Sequence, residues 1–445
     1  VELNMKRLLK GARVVDPANG VDGQFDVLTD GAHVVQVGRD LPESLAAGGE
    51  VIHLPQRLVI CPGFIDMHVH LREPGQEHKE TVATGVLSAV TGGFTAVACM
   101  PNTRPVNDSA GVTQLILQKA REANLARVYP IGAVSRGQKG EELADIAELH
   151  AAGCVAVTDD GLPISTALLA RRALEYTRMF GMPVIEHCED QSLKGEGCAH
   201  EGPVAASLGL KGIPGAAEAI TAGRDILLAE MTGGHVHIAH MSAWTTLEAV
   251  RQGKSRGVKV TAEVCPHHFT LTDDLLASPV PYDTNTKMNP PLREARDRDA
   301  MLAGIADGSV DVIATDHAPH HADEKNVEFD KAPFGIVGLE TAVPICLDRL
   351  VGAGVIGLPR LVEMMSVNPA RILNVQGGSL APGAVADLTI IDPELRVTID
   401  RAALKSKSKN TPYHGYTFTG GVAATIVGGR VVYANHAAGW PGEGR

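Results

Sequence analysis

The chain has 445 residues, 44% of them hydrophobic and 21% charged, a balance that builds a large buried core and excludes a disordered or fibrous chain. Its net charge of −12 argues against a nucleic-acid binder, and no run approaches the ~20 apolar residues that a bilayer span needs. Residues 1–10 lack the apolar core of a secretory leader, and the seven cysteines are odd in number and scattered. Reduced, buried thiols in a cytoplasmic protein are therefore expected, not a disulfide framework.

Near the N-terminus, Arg13-Val14-Val15-Asp16-Pro17 and His33-Val34-Val35-Gln36-Val37-Gly38 read as short strands between turns. The middle of the chain alternates apolar runs with amphipathic stretches. Runs at 58–67, 93–100, 127–134, 153–158, 182–186, 235–239, 258–265 and 310–315 predict buried parallel strands. Helices are expected between them, for example over 79–90, 112–123, 166–179, 216–229 and 296–306. Beyond these, 386–392, 424–429 and 430–433 return to strand-like patterns. The fold expected is α/β: a (β/α)8 TIM-like barrel over 58–375, with a small composite β-sandwich built from 1–57 and 376–445.

In such a barrel the chemistry gathers where strands end. Those ends carry Asp66-Met67-His68-Val69-His70, Thr158-Asp159-Asp160-Gly161, Glu186-His187-Cys188, His240-Met241-Ser242 and Asp316-His317-Ala318-Pro319-His320. Residues i and i+2 of a strand face the same side, so His68 and His70 can grip one ion. Four imidazoles with two carboxylates suit a two-metal site, zinc being a good match for neutral imidazole. Periodicity does not separate Asp159 from Asp160 at a strand terminus. His235 and His237 share a face and His240 has the opposite parity, so one set at most is expected to point inward, with His240 favoured by its place at the strand end. For His267 and His268 local hydrogen bonding is expected; for His78, His150, His200 and His436, the surface; for Cys188, inert packing.

Longer blocks carry a resemblance. Pro62-Gly63-Phe64-Ile65-Asp66-Met67-His68-Val69-His70-Leu71-Arg72-Glu73-Pro74-Gly75 resembles the opening signature of type I dihydroorotases of the amidohydrolase superfamily. Met100-Pro101-Asn102-Thr103, Met288-Asn289-Pro290-Pro291-Leu292-Arg293, Ala314-Thr315-Asp316-His317-Ala318-Pro319-His320, Ala332-Pro333-Phe334-Gly335 and Lys409-Asn410-Thr411-Pro412 continue it over nearly the whole chain. The resemblance implies metal ligands His68, His70, Asp160, His187, His240 and Asp316, with Asp160 as the bridge where hydantoinases use a carboxylated lysine. It also implies substrate contacts from His70, Leu71, Arg72, Asn102, Asn289, His320, Phe334 and Gly335. The activity implied is reversible ring opening of (S)-dihydroorotate to N-carbamoyl-L-aspartate in pyrimidine biosynthesis.

The residue types suit that reaction. Two divalent ions activate a water and polarise the carbonyl, Asp316 serves as general base and then acid, and the Arg72 fork matches a substrate carboxylate. The segment between His320 and Phe334, with Ala322-Asp323-Glu324-Lys325, is expected to form a loop over the site. A hydantoinase- or allantoinase-type amidase is the alternative, and a silent scaffold for aspartate carbamoyltransferase another; six filled ligand positions speak against silence. A homo-oligomer and an association with aspartate carbamoyltransferase are further implications of the resemblance.

Overall fold

The β-branched and apolar runs of the middle region form eight parallel strands in a computed structural model that describes residues 5–441; the readings made for residues 1–4 and 442–445 lie outside the described residues. The strands are β1 (Phe64–Val69), β2 (Phe94–Cys99), β3 (Arg127–Pro130), β4 (Val157–Thr158), β5 (Val184–Glu186), β6 (Val236–Ile238), β7 (Val260–Val264) and β8 (Val312–Ile313). Neighbours in sequence are neighbours in the sheet. Beyond Pro130, β3 shifts partners: Ile131 N–H still donates to Cys99 O, but Gly132 N–H donates to Ala156 O, and Gly132–Ala133 pairs with β4. The ring is completed between first and last strands by the bridge Val69–His317 and by His70 N–H to His317 O at 2.8 Å.

Helices Val82–Thr91, Ala110–Ala123, Ala167–Thr177, Gly215–Thr232 and Ala295–Asp307 stand where amphipathic spacing predicts them, their ends shifted by a turn or less. Val86, Ile116, Leu174, Ile226 and Ile305 pack them onto the outer strand faces. A second cluster draws Met67, Ala98, Ile131, Ala156, Ile185 and Val312 together with Leu373. Side chains converging from most of the strands make the barrel interior a packed core and not a pore. No helix among the described residues is long and apolar enough to cross a membrane.

Strands from both ends of the chain build two further sheets. One orders His33–Gly38, Asp26–Asp30, Lys6–Lys10 and Glu50–His53; the other orders Arg430–Ala434, Thr417–Val427, Leu388–Thr398, Val59–Pro62, Arg13–Asp16 and Val21–Gln24. Their shared core includes Leu9, Val14, Ile60, Ile390, Ile426 and Trp440. The run 58–67, expected as one barrel strand, thus divides: Val59–Pro62 belongs to a terminal sheet and β1 begins at Phe64. Gly63 is the joint. A Cβ there would collide with Thr95, so the chain passes from one sheet to the other only without a side chain.

Candidate active site

The ends of β1, β4, β5, β6 and β8 bring six side chains together. His68 Nε2 lies 3.4 Å from Asp160 Oδ2 and 3.5 Å from Asp316 Oδ1. His70 Nε2 lies 3.1 Å from Asp316 Oδ1 and 3.5 Å from Asp160 Oδ2. On the other side of Asp160, His187 Nδ1 and His240 Nε2 stand 3.4 and 3.3 Å from Oδ1, and 2.9 Å from each other. Asp160 therefore offers one oxygen to each pair of imidazoles. Asp159, its neighbour, instead accepts from Ser135 N–H at 3.0 Å and from Ser135 Oγ at 2.5 Å.

Local backbone makes this convergence. Asp66 Oδ1 accepts from His68 N–H at 3.0 Å and Thr315 N–H at 3.2 Å, lashing the end of β1 to that of β8. His240 and Asp316 adopt φ of 29° and 48°, and Arg72 63°. Non-glycine residues in that region cost about 1–3 kcal/mol each and persist where surrounding structure imposes them.

Two rings are oriented by acceptors behind them. His68 Nδ1 donates to Glu263 Oε1 at 2.6 Å, and His70 Nδ1 donates to Asn102 Oδ1 at 2.9 Å. Each thereby turns its Nε2 lone pair toward the carboxylates. Among the described residues, His68 Nε2 and His240 Nδ1 are buried without any hydrogen-bond partner. Burial opposes charge on Asp160, yet His68, His187 and His240 hold its carboxyl well below the ordinary range. Burial likewise disfavours an imidazolium at His68, but Asp160 and Glu263 push its pKa well above 6.5. The carboxylates thus draw positive charge toward the rings. Convergent ring lone pairs, ionised carboxylates and unpartnered nitrogens fit a metal ion, and the triads His68–Asp160–His240 and His68–His70–Asp316 each have the spacing to hold one.

Above the cluster lies a cavity of about 310 Å³ lined by Arg72, Asn102, Asn289, His320, Phe334 and Gly335 together with the ligand set other than His68. Burial lowers the Arg72 pKa to about 10, and its guanidinium has no carboxylate partner among the described residues: Nε donates to Pro319 O at 3.1 Å, and Nη2 faces His320 Nε2 at 3.3 Å. That ring nitrogen donates to Phe334 O at 2.8 Å, while burial and the adjacent Arg72 and Lys79 keep His320 neutral. Leu71 is not brought to the cavity; its side chain is buried against Gly85.

Other sequence expectations meet differing outcomes. His237 and His240 both face the polar interior, contrary to the parity argument, because the left-handed turn at His240 ends the strand alternation. His200 is buried beside Arg293, not on the surface. His268 Nε2 donates to Pro290 O at 3.0 Å, as local bonding predicts, but His267 Nε2 has no partner. Cys188 is packed with its thiol toward Glu186 O, and all seven cysteines are buried and free. Sequence reasoning passed over Glu263 and Lys194, which lines the cavity; a carboxylate inside the apolar run 258–265 was the available signal for the first.

A barrel with imidazole and carboxylate groups gathered at its strand ends defines the amidohydrolase class. The Amidohydrolase family model matches residues 216–433 and the Dihydro-orotase-like model residues 57–245. The chain is 52% identical over 434 residues to a dihydroorotase of Geobacter sp. (strain M21), covering 96% of this chain and 99% of that one. It is 53% identical over 425 residues to a dihydroorotase of Anaeromyxobacter sp. (strain K), covering 96% and 97%. Among solved structures, L-hydantoinase from Arthrobacter aurescens superposes with a TM-score of 0.84 at 24% identity, over 96% of both chains. Dihydropyrimidinase from Brevibacillus agri gives 0.84 at 24% identity over 97% and 95%. The chain belongs to the dihydroorotase family.

Proposed function

We propose that this chain interconverts (S)-dihydroorotate and N-carbamoyl-L-aspartate, with Asp316 as the proton-transferring group and Arg72 as the carboxylate anchor. One observation carries the reading beyond the family: a buried arginine without an acidic partner among the described residues faces the same cavity as the six-residue cluster. A cyclic amide with a carboxylate completes that arrangement, whereas a neutral cyclic amide leaves the guanidinium unmatched.

His68, His70, Asp160, His187, His240 and Asp316 would hold two divalent ions, zinc by the imidazole-rich donor set, with Asp160 shared between them. Such ions supply Lewis acidity and an acidified water when bound. Asp316 borders the cavity, and although burial opposes its charge, His70, His68 and His240 keep its carboxyl below the usual range, so it is ionised and able to accept a proton. In ring opening it takes the proton of the attacking water as the new C–O bond forms. It then returns that proton to the ring nitrogen as the C–N bond breaks; cyclisation reverses both transfers. Asn102, by holding His70, and Asn289, 3.2 Å from His187 Nε2, keep two rings aligned under the substrate. The Phe334–Gly335 backbone closes the cavity beside His320. Self-association is the oligomeric reading we adopt, supported by Ile220, Leu227 and Met231, exposed along one face of the helix Gly215–Thr232.

The test is to strip metal from the full chain, restore zinc, and follow dihydroorotate cleavage and carbamoyl-aspartate cyclisation beside hydantoin and allantoin. Activity confined to the first pair is expected, and a fully loaded chain inert toward dihydroorotate would overturn the reading. Asp316→Asn should fold normally yet lose turnover by roughly 10²–10⁴-fold; parental rates would remove Asp316 from its role.

A further inference from the structure

The barrel interior holds a second set of polar groups behind the metal-ligand cluster. Glu263, in β7, accepts at Oε1 from His68 Nδ1 at 2.6 Å and from the His240 backbone N–H at 3.1 Å. Its Oε2 lies 3.1 Å from His237 Nε2. His237 Nδ1 is 2.8 Å from Thr261 Oγ1, which is in turn 2.8 Å from His235 Nε2. His68, His237 and Glu263 are shut off from solvent entirely.

The bonding directions follow from the carboxylate, which has only lone pairs to offer. Both ring nitrogens facing Glu263 must carry hydrogen. His237 then presents a lone pair at Nδ1, Thr261 donates its hydroxyl to it, and Thr261 Oγ1 accepts from His235 Nε2–H. Every donor in this row then finds an acceptor, with the Glu263 carboxylate as its anion. Turning the chain round would set an imidazole lone pair against the carboxylate in a dry interior. Burial, with His237, Lys259 and Arg371 nearby, brings His235 down to about 4, in keeping with a neutral ring at that end.

We propose that His237 and Glu263 are positioning residues for the metal site: together they lock His68 in the Nδ1–H form, with Nε2 aimed at Asp160 and Asp316, and pin the backbone of His240. The inference rests on the metal reading above. Glu263 reaches two of the six ligands at once, one through its ring and one through its main chain. His237 is the group that occupies the other carboxylate oxygen, so Glu263 cannot swing away from either. Partners behind a metal-bound histidine typically govern metal retention by about 10–100-fold.

Zinc release to a chromophoric chelator, measured on the zinc-loaded full chain, separates positioning from mere interior packing. His237→Leu removes the donor to Oε2, Glu263→Gln sets an amide against one ring, and His237→Gln keeps a donor near the Nε2 position. The first two should release zinc roughly 10–100-fold faster than the parent, and His237→Gln should stay close to it. Purely structural groups would instead lower the melting midpoint of the metal-free chain and leave release unchanged. Release within twofold of the parent for His237→Leu and Glu263→Gln would overturn the proposal, as would a His237→Gln no better than His237→Leu. Should His237→Leu fail to fold, Glu263→Gln and His237→Gln decide by the same criteria. A parent chain that takes up no zinc would fell the metal reading and this inference with it, whereas equal release rates fell this inference alone.

Discussion

Arg72→Met keeps most of the buried stem and removes only the fork. A guanidinium carries five N–H donors, and here the protein supplies one clear acceptor, Pro319 O, because His320 Nε2 spends its hydrogen on Phe334 O. The remaining donors are available to a substrate carboxylate. Two charge-assisted hydrogen bonds at about 1.5–3 kcal/mol each give about 3–6 kcal/mol of lost transition-state binding. At about 1.36 kcal/mol per tenfold, kcat/KM for dihydroorotate should fall by roughly 10²–10⁴. The substrate-free fold should barely respond. Leaving Pro319 O unpaired costs about 1–3 kcal/mol, and removing a buried cation whose pKa burial has already drawn down to about 10 offsets much of it. Initial rates in both directions, with melting midpoints of the zinc-loaded proteins, measure the two halves separately, and Arg72→Lys, which keeps charge without the fork, should fall between. A kcat/KM within about fivefold of the parent would show that the carboxylate is held elsewhere.

Two further perturbations probe the segment between His320 and Phe334. Lys325 is buried and donates to Thr284 O, Lys287 O and Pro333 O, while burial and the neighbouring Lys287 lower its pKa to about 7 from 10.5. Between those values the unfolded chain holds a proton that the folded chain has released, so stability should rise with pH over that window. Denaturation midpoints should climb less in Lys325→Met than in the parent, and equal slopes would refute the assignment. Gly335 adopts φ of 128°, and a Cβ would stand 2.6 Å from Ala318 Cβ and 3.0 Å from Ala318 O. Gly335→Ala should therefore raise KM several-fold and cost about 1–3 kcal/mol of stability; an unchanged KM and melting curve would show that the Phe334–Gly335 backbone is not held against Ala318.

The strands of the barrel were legible because each is an apolar run bounded by turn residues and helical periodicity, and the ligands because polar groups at strand ends have few structural uses. Parity arguments failed where the backbone leaves the strand. His240 and Asp316 turn through positive φ just where their side chains are needed, and a period-2 pattern carries no trace of that. Periodicity does not separate Asp159 from Asp160 at a strand terminus; the resemblance singles out Asp160, and Ser135 holds Asp159 away from the cluster. His200 was misplaced because the segment around it forms no long periodic element; its burial comes from Arg293, distant in sequence. Glu263 was visible as an oddity in an apolar run but not as a partner of His68, because their contact crosses the interior of the closed barrel from β7 to β1.

Gly63 joins a strand of a terminal sheet to the strand that ends in His68. Around that joint, Gly63 N–H donates to Asp387 O at 2.8 Å, Phe64 N–H to Thr389 Oγ1 at 3.0 Å, and Ser366 Oγ to Gly63 O at 2.6 Å. Residues far along the chain thus grip the root of β1. The barrel is therefore not an excisable module: loss of the segment after 376 would take away the Asp387 and Thr389 anchorage of the strand that presents two of the six ligands. Any lineage that shed the terminal sheets would have had to rebuild that root before it could keep the chemistry.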